Sequence, residues 1–398
     1  MKDITISDSI FYVGADDTTL DLFESQYIVP EGVSYNSYVI MDDKITIMDT
    51  VDQRATEEWI ANVKNVLKDK TPAYLVVSHM EPDHAATLGE LVLRYPEVKI
   101  VSNAKVVAMI KQFFDFDVDA RVQVVAEGDT FSTGKHTFTF AMAPMVHWPE
   151  VMVTFDTTDG ILYSADAFGT FGALAGNVFA DEVDFENKWL DEARRYYTNI
   201  VGKYGPQVQM ALKKALALDI KMICPLHGPI WRENIAWFVD KYNKWSTYTP
   251  EDNTVLIAYA SIYGGTENAA NILASELAKK GIKNIAMTDV SVTHPSYIIS
   301  EAFRCSHIVF AAPTYNAGIF TPMETLLLDL AAHNLQNRTV AFIENGSWAP
   351  ISAKLMGDIV AKMKNMTVLA SKATLKSTVK DAQREELKTL ASEIAETL

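Results

Sequence analysis

Short apolar runs separated by amphipathic stretches fill the last third of the chain. The runs are Val255–Tyr259, Asn284–Thr288, His307–Ala312, Thr339–Ile343 and Thr367–Ala370. Between the first two, Ala269, Leu273 and Leu277 recur every fourth residue in Thr266–Lys280, which predicts a helix with one apolar face. Gly281 then stops it. Pro322–His333 opens with a proline in its first turn, and Asp381–Leu398 reads as a closing amphipathic helix. Strands alternating with helices predict a parallel sheet with right-handed crossovers, the doubly wound α/β design.

The preceding part is richer in strands. Ile45–Asp49 and Tyr74–Ser78 read as buried strands, and Phe138–Ala143, Gly160–Ser164 and Met222–Pro225 as further short ones. Trp59, Val63 and Leu67 give Glu57–Lys68 a helical period, and Glu192–Leu218 reads as one long helical stretch. This mixture predicts a sheet sandwich covered by helices. A polar seam carrying Pro250 runs from Ser246 to Asn253, so the expected division is a domain over 1–249 and another over 254–398.

Composition narrows the class. With 51 acidic and 35 basic residues the formal net charge is -16, which argues against nucleic acid and anionic membranes as partners. Only Cys224 and Cys305 are present, too few for a disulfide framework or a four-thiolate metal centre within one chain. No apolar run approaches the roughly 18 residues of a membrane span, and the N-terminus lacks the apolar core of a signal peptide. The expectation is a cytoplasmic multidomain enzyme.

The densest chemistry is Ser78-His79-Met80-Glu81-Pro82-Asp83-His84, at the end of a predicted strand. Two imidazoles and two carboxylates packed so closely need partners if buried, and a metal supplies them. His147, Asp166 and His227 each follow another apolar run. Seven nitrogen and oxygen donors exceed one tetrahedral zinc and suit a metal pair, with Asp166 as the natural bridge. Two divalent ions bring four positive charges; Glu81, Asp83 and Asp166 return three negative ones, and a bridging hydroxide balances the rest. Mixed imidazole and carboxylate ligation suits redox-active iron that binds a small diatomic molecule. The other histidines, His136, His294, His307 and His333, lack neighbouring carboxylate clusters in sequence and are expected to be structural.

The pattern His79-x-Glu81-x-Asp83-His84, then His147, Asp166 and His227, resembles the metallo-β-lactamase fold as used in flavodiiron proteins. Hydrolytic zinc members of that fold typically carry a histidine where this chain has Glu81. The resemblance implies an αββα sandwich in which His79, Glu81 and His147 hold one iron. Asp83, His84 and His227 would hold the other, with Asp166 and an oxo or hydroxo group bridging.

A second motif comes after the first strand of the C-terminal part: Ser261-Ile262-Tyr263-Gly264-Gly265-Thr266-Glu267, leading into a helix. Hydroxyls, glycines and backbone N–H groups at a helix N-terminus make an anion site. It lacks the Gly-Lys-Ser/Thr ending of a Walker loop and the dinucleotide fingerprint. Two further predicted strand ends bring Pro313-Thr314-Tyr315-Asn316-Ala317-Gly318 and Asn345-Gly346-Ser347-Trp348. Such loops converge beyond the carboxyl ends of a parallel sheet, and their aromatics suit a flat ring above a phosphate clamp. This part resembles flavodoxin, with a five-stranded doubly wound sheet, and so implies FMN.

Together the two sites imply an oxidoreductase that passes electrons through FMN to a diiron pair. FMN can store two electrons and the pair two more. Four reduce O2 to two waters; two convert a pair of NO molecules to N2O and water. The resemblance covers nearly the whole chain, so it implies an external donor: rubredoxin or a reduced deazaflavin, coenzyme F420. It also implies a head-to-tail homodimer, or a dimer of dimers, in which one chain's FMN faces its partner's irons. Tyr196 and Tyr197 are candidate proton donors bordering the metal pocket. The competing readings are a zinc hydrolase of the same fold with a flavodoxin-like partner-binding domain, and a non-catalytic electron carrier or gas sensor.

Overall fold

A computed structural model describes residues 4–398, so the first three residues of the expected N-terminal domain lie outside the described residues. Two compact units are present. One takes Met1–Tyr197 and Pro206–Asn243; the other takes Thr198–Gly205 and Lys244–Leu398. The division is therefore not a single cut near residue 250. Two hydrogen bonds tie Thr198–Gly205 to the C-terminal unit. The Asn199 amide donates to the Ser296 carbonyl at 3.1 Å, and the Tyr248 hydroxyl donates to the Gly202 carbonyl at 3.0 Å.

The first unit is an αββα sandwich. One sheet has seven strands, ordered Ile4–Ser7, Ile10–Tyr12, Tyr38–Ile40, Thr46–Met48, Tyr74–Val76, Lys99–Ser102, Val122–Val124. The other has five, ordered Thr130–Ser132, Thr137–Met142, Met152–Asp156, Ile161–Tyr163, Met222–Cys224. Alternation decides which residues meet between them: in Thr137–Met142 only Phe138 and Phe140 are buried. They join Tyr12, Tyr38, Val76, Val101, Met152, Ile161 and Cys224 in one apolar cluster drawn from both sheets. The helix Thr56–Leu67 buries Trp59, Val63 and Leu67, the residues that set its period in the sequence.

The stretch expected to be one long helix is broken. Leu190–Tyr196 is α-helical, Tyr197–Val201 widens into a π turn, Gly202–Tyr204 tightens into a 3-10 turn, and Gly205–Ala215 is a new helix. Pro206 has no N–H for a continuing helix and fits only the first turn of a new one. Gly205 accommodates a close approach, since a Cβ there would collide with the Ser246 carbonyl.

In the second unit five parallel strands are ordered second, first, third, fourth, fifth: Ala286–Asp289, Asp252–Tyr259, Cys305–Tyr315, Thr339–Asn345 and Thr367–Leu375. This is the flavodoxin-like order, with its switch point at the ends of the first and third strands. Helices Gly265–Lys279 and Asp381–Thr397 pack into one apolar cluster. Pro295–Arg304, Thr321–Ala332 and Ser352–Val360 pack into the other. Among the described residues no helix is long and apolar enough to cross a membrane.

Candidate metal centre and phosphate-loop pocket

Local structure delivers each candidate ligand. The strand Tyr74–Val76 ends, and Asp49, just past the neighbouring strand, accepts the Ser78 N–H at 2.6 Å, fixing the start of the motif loop. Pro82 opens a single helical turn, Pro82–Ala85, that carries Asp83 and His84. Asp166 and His227 follow the parallel strands Ile161–Tyr163 and Met222–Cys224, and His147 lies in the turn between Thr137–Met142 and Met152–Asp156. Gly228, at φ 74, lets the chain turn after His227, where a Cβ would strike Thr170.

The seven residues gather as two sets, His79, Glu81, His147 and Asp166, and then Asp83, His84 and His227. All are buried. In the first set Nε2 of His79 lies 3.1 Å from Asp166 Oδ2 and 3.3 Å from Glu81 Oε2. Nε2 of His147 lies 3.1 Å from the same Asp166 oxygen and 2.9 Å from Glu81 Oε2. In the second set Nε2 of His84 is 3.2 Å from Asp83 Oδ2 and 3.2 Å from Asp166 Oδ1. The His84 and His227 Nε2 atoms stand 3.0 Å apart, and His227 Nε2 is 3.1 Å from Asp83 Oδ2. Asp166 thus turns one oxygen toward each set.

Polar accounting supports cation binding. Both oxygens of Asp83 and of Asp166, and Nδ1 of His84, are buried without a hydrogen-bond partner. Leaving such groups unpaired costs about 1–3 kcal/mol each, more when charged, whereas a divalent ion satisfies them together. Two rings are aimed from behind. His79 Nδ1 donates to Glu150 Oε1 at 2.7 Å, and His227 Nδ1 donates to the Ser34 carbonyl at 2.7 Å. Those bonds hold the protons on Nδ1 and leave each Nε2 lone pair facing inward.

Glu150 is a participant with no signal in the sequence, whereas Glu24 falls in Phe23–Tyr38, a segment expected to line the pocket without an assigned role. Glu150 sits three residues after His147 and also accepts the Met80 N–H at 3.0 Å. Glu24 lies at the tip of the hairpin pairing Leu22–Phe23 with Tyr27–Ile28, with φ 49 followed by 57 at Ser25. Glu24 is exposed as a residue, and its carboxyl, partly desolvated where it meets the Glu81 carboxylate, has its pKa raised. No spacing rule marks either residue. The tyrosines divide. The Tyr196 ring lies 5.4 Å from that of His227, beside Phe23 at 5.5 Å from the same imidazole. Tyr197 instead packs on Tyr242 at 4.9 Å.

In the second unit a cavity of about 990 Å³ opens at the carboxyl ends of the strands. Its wall includes Ser261, Ile262, Tyr263, Gly264, Gly265 and Thr266 from the first loop, with Pro313, Thr314, Tyr315, Asn316 and Ala317 from the second. Asn345, Gly346, Ser347 and Trp348 come from the third. Glu267 and Gly318 of the expected set lie off this wall: Glu267 is already inside the helix Gly265–Lys279, and Gly318 pairs back onto Tyr315. Ser377 and Thr378, after the fifth strand, were not anticipated. Ser377 Oγ lies 2.6 Å from Ser347 Oγ, and its N–H donates to Asn345 Oδ1 at 2.9 Å, so the third loop and the segment after the fifth strand brace each other.

The residues fit a phosphate. The helix Gly265–Lys279 has no side-chain cap, so its first N–H groups remain available, and the buried Ser261 hydroxyl has no partner. Gly265 admits a close backbone approach, since a Cβ there would strike the Ser377 carbonyl. Tyr263 and Trp348, 98% and 91% exposed, stand at the rim, where flat apolar surface awaits a partner.

The chain is similar to known proteins across both units. Residues 33–228 match the model of the ODP family beta lactamase. The chain is 31% identical to a rubredoxin-oxygen oxidoreductase of Megalodesulfovibrio gigas, over 100% of this chain and 98% of that one. It is 30% identical to a nitric oxide reductase of Moorella thermoacetica, over 89% and 88%. The solved rubredoxin oxygen:oxidoreductase from the anaerobe Desulfovibrio gigas superposes with TM-score 0.92 at 30% identity, covering 100% of this chain and 98% of that one. The flavodiiron protein of Giardia intestinalis shares the fold, with TM-score 0.90 at 24% identity over 100% and 96%.

Proposed function

Since this chain belongs to the flavodiiron protein family, we propose that it is an oxidoreductase passing electrons through FMN to a non-haem diiron pair that reduces O2 to water, NO to N2O, or both. The observation that carries the reading is Asp166, buried between two ligand sets with one oxygen toward each. His79, Glu81 and His147 would hold one ion and Asp83, His84 and His227 the other. When bound, such a pair supplies two electrons at adjacent open positions, and the flavin supplies two more.

The chain's own residues do the positioning. Glu150 and the Ser34 carbonyl orient the imidazoles, while Phe23, Phe171 and Tyr196 form an apolar side that excludes water. Burial, then the carboxylates of Asp166 and Asp83, pushes the Tyr196 phenol well up, so it keeps its proton beside the pocket. The zinc-hydrolase alternative is not favoured, because relatives matched over nearly the whole chain are named as oxygen and nitric oxide oxidoreductases.

A rubredoxin-type donor is the first choice, on the name of the M. gigas relative, with reduced coenzyme F420 as the second. A head-to-tail dimer remains part of the proposal. The cytoplasmic assignment rests on two buried, unpaired cysteines. Anaerobic reduction followed by separate O2 and NO consumption assays, with iron and flavin measured on the same sample, tests the whole reading. Asp166→Ala should lose most turnover and keep the yellow flavin. Wild-type turnover in that variant would remove the bridge from the account.

A further inference from the structure

His136 is buried, yet both its ring nitrogens are engaged by residues distant in sequence. Nδ1 lies 2.7 Å from Asp156 Oδ2, and Nε2 lies 2.7 Å from Ser9 Oγ. Asp156 is itself buried, and its other oxygen accepts the Thr158 N–H at 2.9 Å. With Oδ2 accepting from Nδ1–H, the Nε2 lone pair is left to accept the Ser9 hydroxyl proton. Ser9 is partly exposed in the turn between strands Ile4–Ser7 and Ile10–Tyr12, and its carbonyl is tied to the Met41 N–H at 2.8 Å. Nucleophile, base and orienting carboxylate thus stand in the order that acyl transfer requires.

This arrangement is separate from the metal pocket. Asp156 pairs with Phe138 at one end of the five-stranded sheet. Met152, four residues back along the same strand, pairs with Met142 next to the turn bearing His147. Four residues of strand span about 13 Å. Nothing in the reductase reading uses these three side chains. The carboxylates of Asp156, Asp159 and Asp42 face the imidazole, which disfavours anionic acyl groups.

We propose that Ser9, His136 and Asp156 form a second, hydrolytic site that cleaves small uncharged carboxylic esters. Ser9 Oγ bonds to the acyl carbon as its proton passes to His136 Nε2. The ester C–O bond breaks and the departing alcohol takes that proton. Water then adds to the acyl-enzyme, giving a proton to Nε2, and Ser9 leaves with it. The cycle consumes only ester and water.

The test uses the full-length protein loaded with metal and flavin. A fluorophosphonate probe should label one serine per chain, located at Ser9 by peptide mass spectrometry. Release of p-nitrophenol from p-nitrophenyl acetate should fall about 100-fold in Ser9→Ala, while O2 uptake and flavin content stay at wild-type level. Those two controls report that the variant is folded, and the labelling of the unaltered protein does not depend on any variant. An unlabelled Ser9, or ester cleavage in Ser9→Ala at the wild-type rate, overturns the proposal and leaves the three residues as a structural tie.

Discussion

Glu150 shows how much a single side chain can matter without touching a metal. Its carboxylate accepts a hydrogen bond from His79 Nδ1, and burial acts against its charge while that bond pulls its pKa down. Glu150→Gln keeps the shape but weakens the pull on the ring. Iron affinity or turnover should fall about 10–100-fold with flavin content unchanged, as metal analysis and stopped-flow assays would show; full iron loading at wild-type affinity would refute it. Asp42 supplies a test of acid stability. Burial opposes its charge, but hydrogen bonds from the His136 and Lys135 N–H groups and the Thr133 hydroxyl hold it at about 2. The unfolded value is near 3.8, so the folded chain binds fewer protons in that window. The contribution is complete above the unfolded value and disappears as pH falls through about 2. Solvent screening keeps it below about 1 kcal/mol. Asp42→Asn should flatten this part of a urea-midpoint curve against pH, and identical acid limbs would contradict the assignment. The seven candidate ligands were legible in the sequence because each comes just after an apolar run. Glu150 was not, since its role depends on where the His147 turn lands relative to His79.

At the scale of elements, the helix Gly265–Lys279 carries the phosphate argument. Its N-terminus is open only because Gly264 takes φ 82 and Gly265 leaves room for the Ser377 carbonyl. A methyl group at Gly265 must displace that loop or the helix start, at a cost of about 1–3 kcal/mol, or about 5- to 150-fold in affinity. Gly265→Ala should therefore lose FMN on dilution while keeping its iron, read by absorbance and metal analysis. Retention of flavin equal to wild type would count against the cradle. The first loop was readable from hydroxyls and glycines before a helical period. Ser377 and Thr378 were not, because a loop after an outer strand has no such signature and is placed at the cavity by contacts with Asn345, Ser347 and Gly265. Likewise, periodicity carried the expected long helix through Gly202, Gly205 and Pro206, where local backbone chemistry broke it.

For the whole molecule, the testable question is which chain's flavin serves which metal pair. In the proposed head-to-tail dimer the two sites of a working unit would come from different chains. Co-assembled Asp166→Ala and Gly265→Ala chains, each inactive alone, should then recover about a quarter of wild-type turnover, because half the dimers are mixed and each holds one intact pairing. Sedimentation confirms the oligomer in the same sample. No recovery in mixed dimers would mean that electrons stay within one chain.

The amino-acid order alone determined the two-part α/β organisation, the identities of the seven candidate ligands, and the three loops of the phosphate pocket. These are local properties: hydrophobic period sets the strand, and the residues directly after a strand are carried to its end. Only the tertiary structure decided that Asp166 stands between two ligand sets, that Tyr196 faces His227 while Tyr197 turns to Tyr242, and that Ser9, His136 and Asp156 meet. Those are convergences of distant segments, such as His84 and His227, 143 residues apart. They are set by how two sheets pack through Phe138, Phe140 and Met152, a contact that no spacing along the chain encodes.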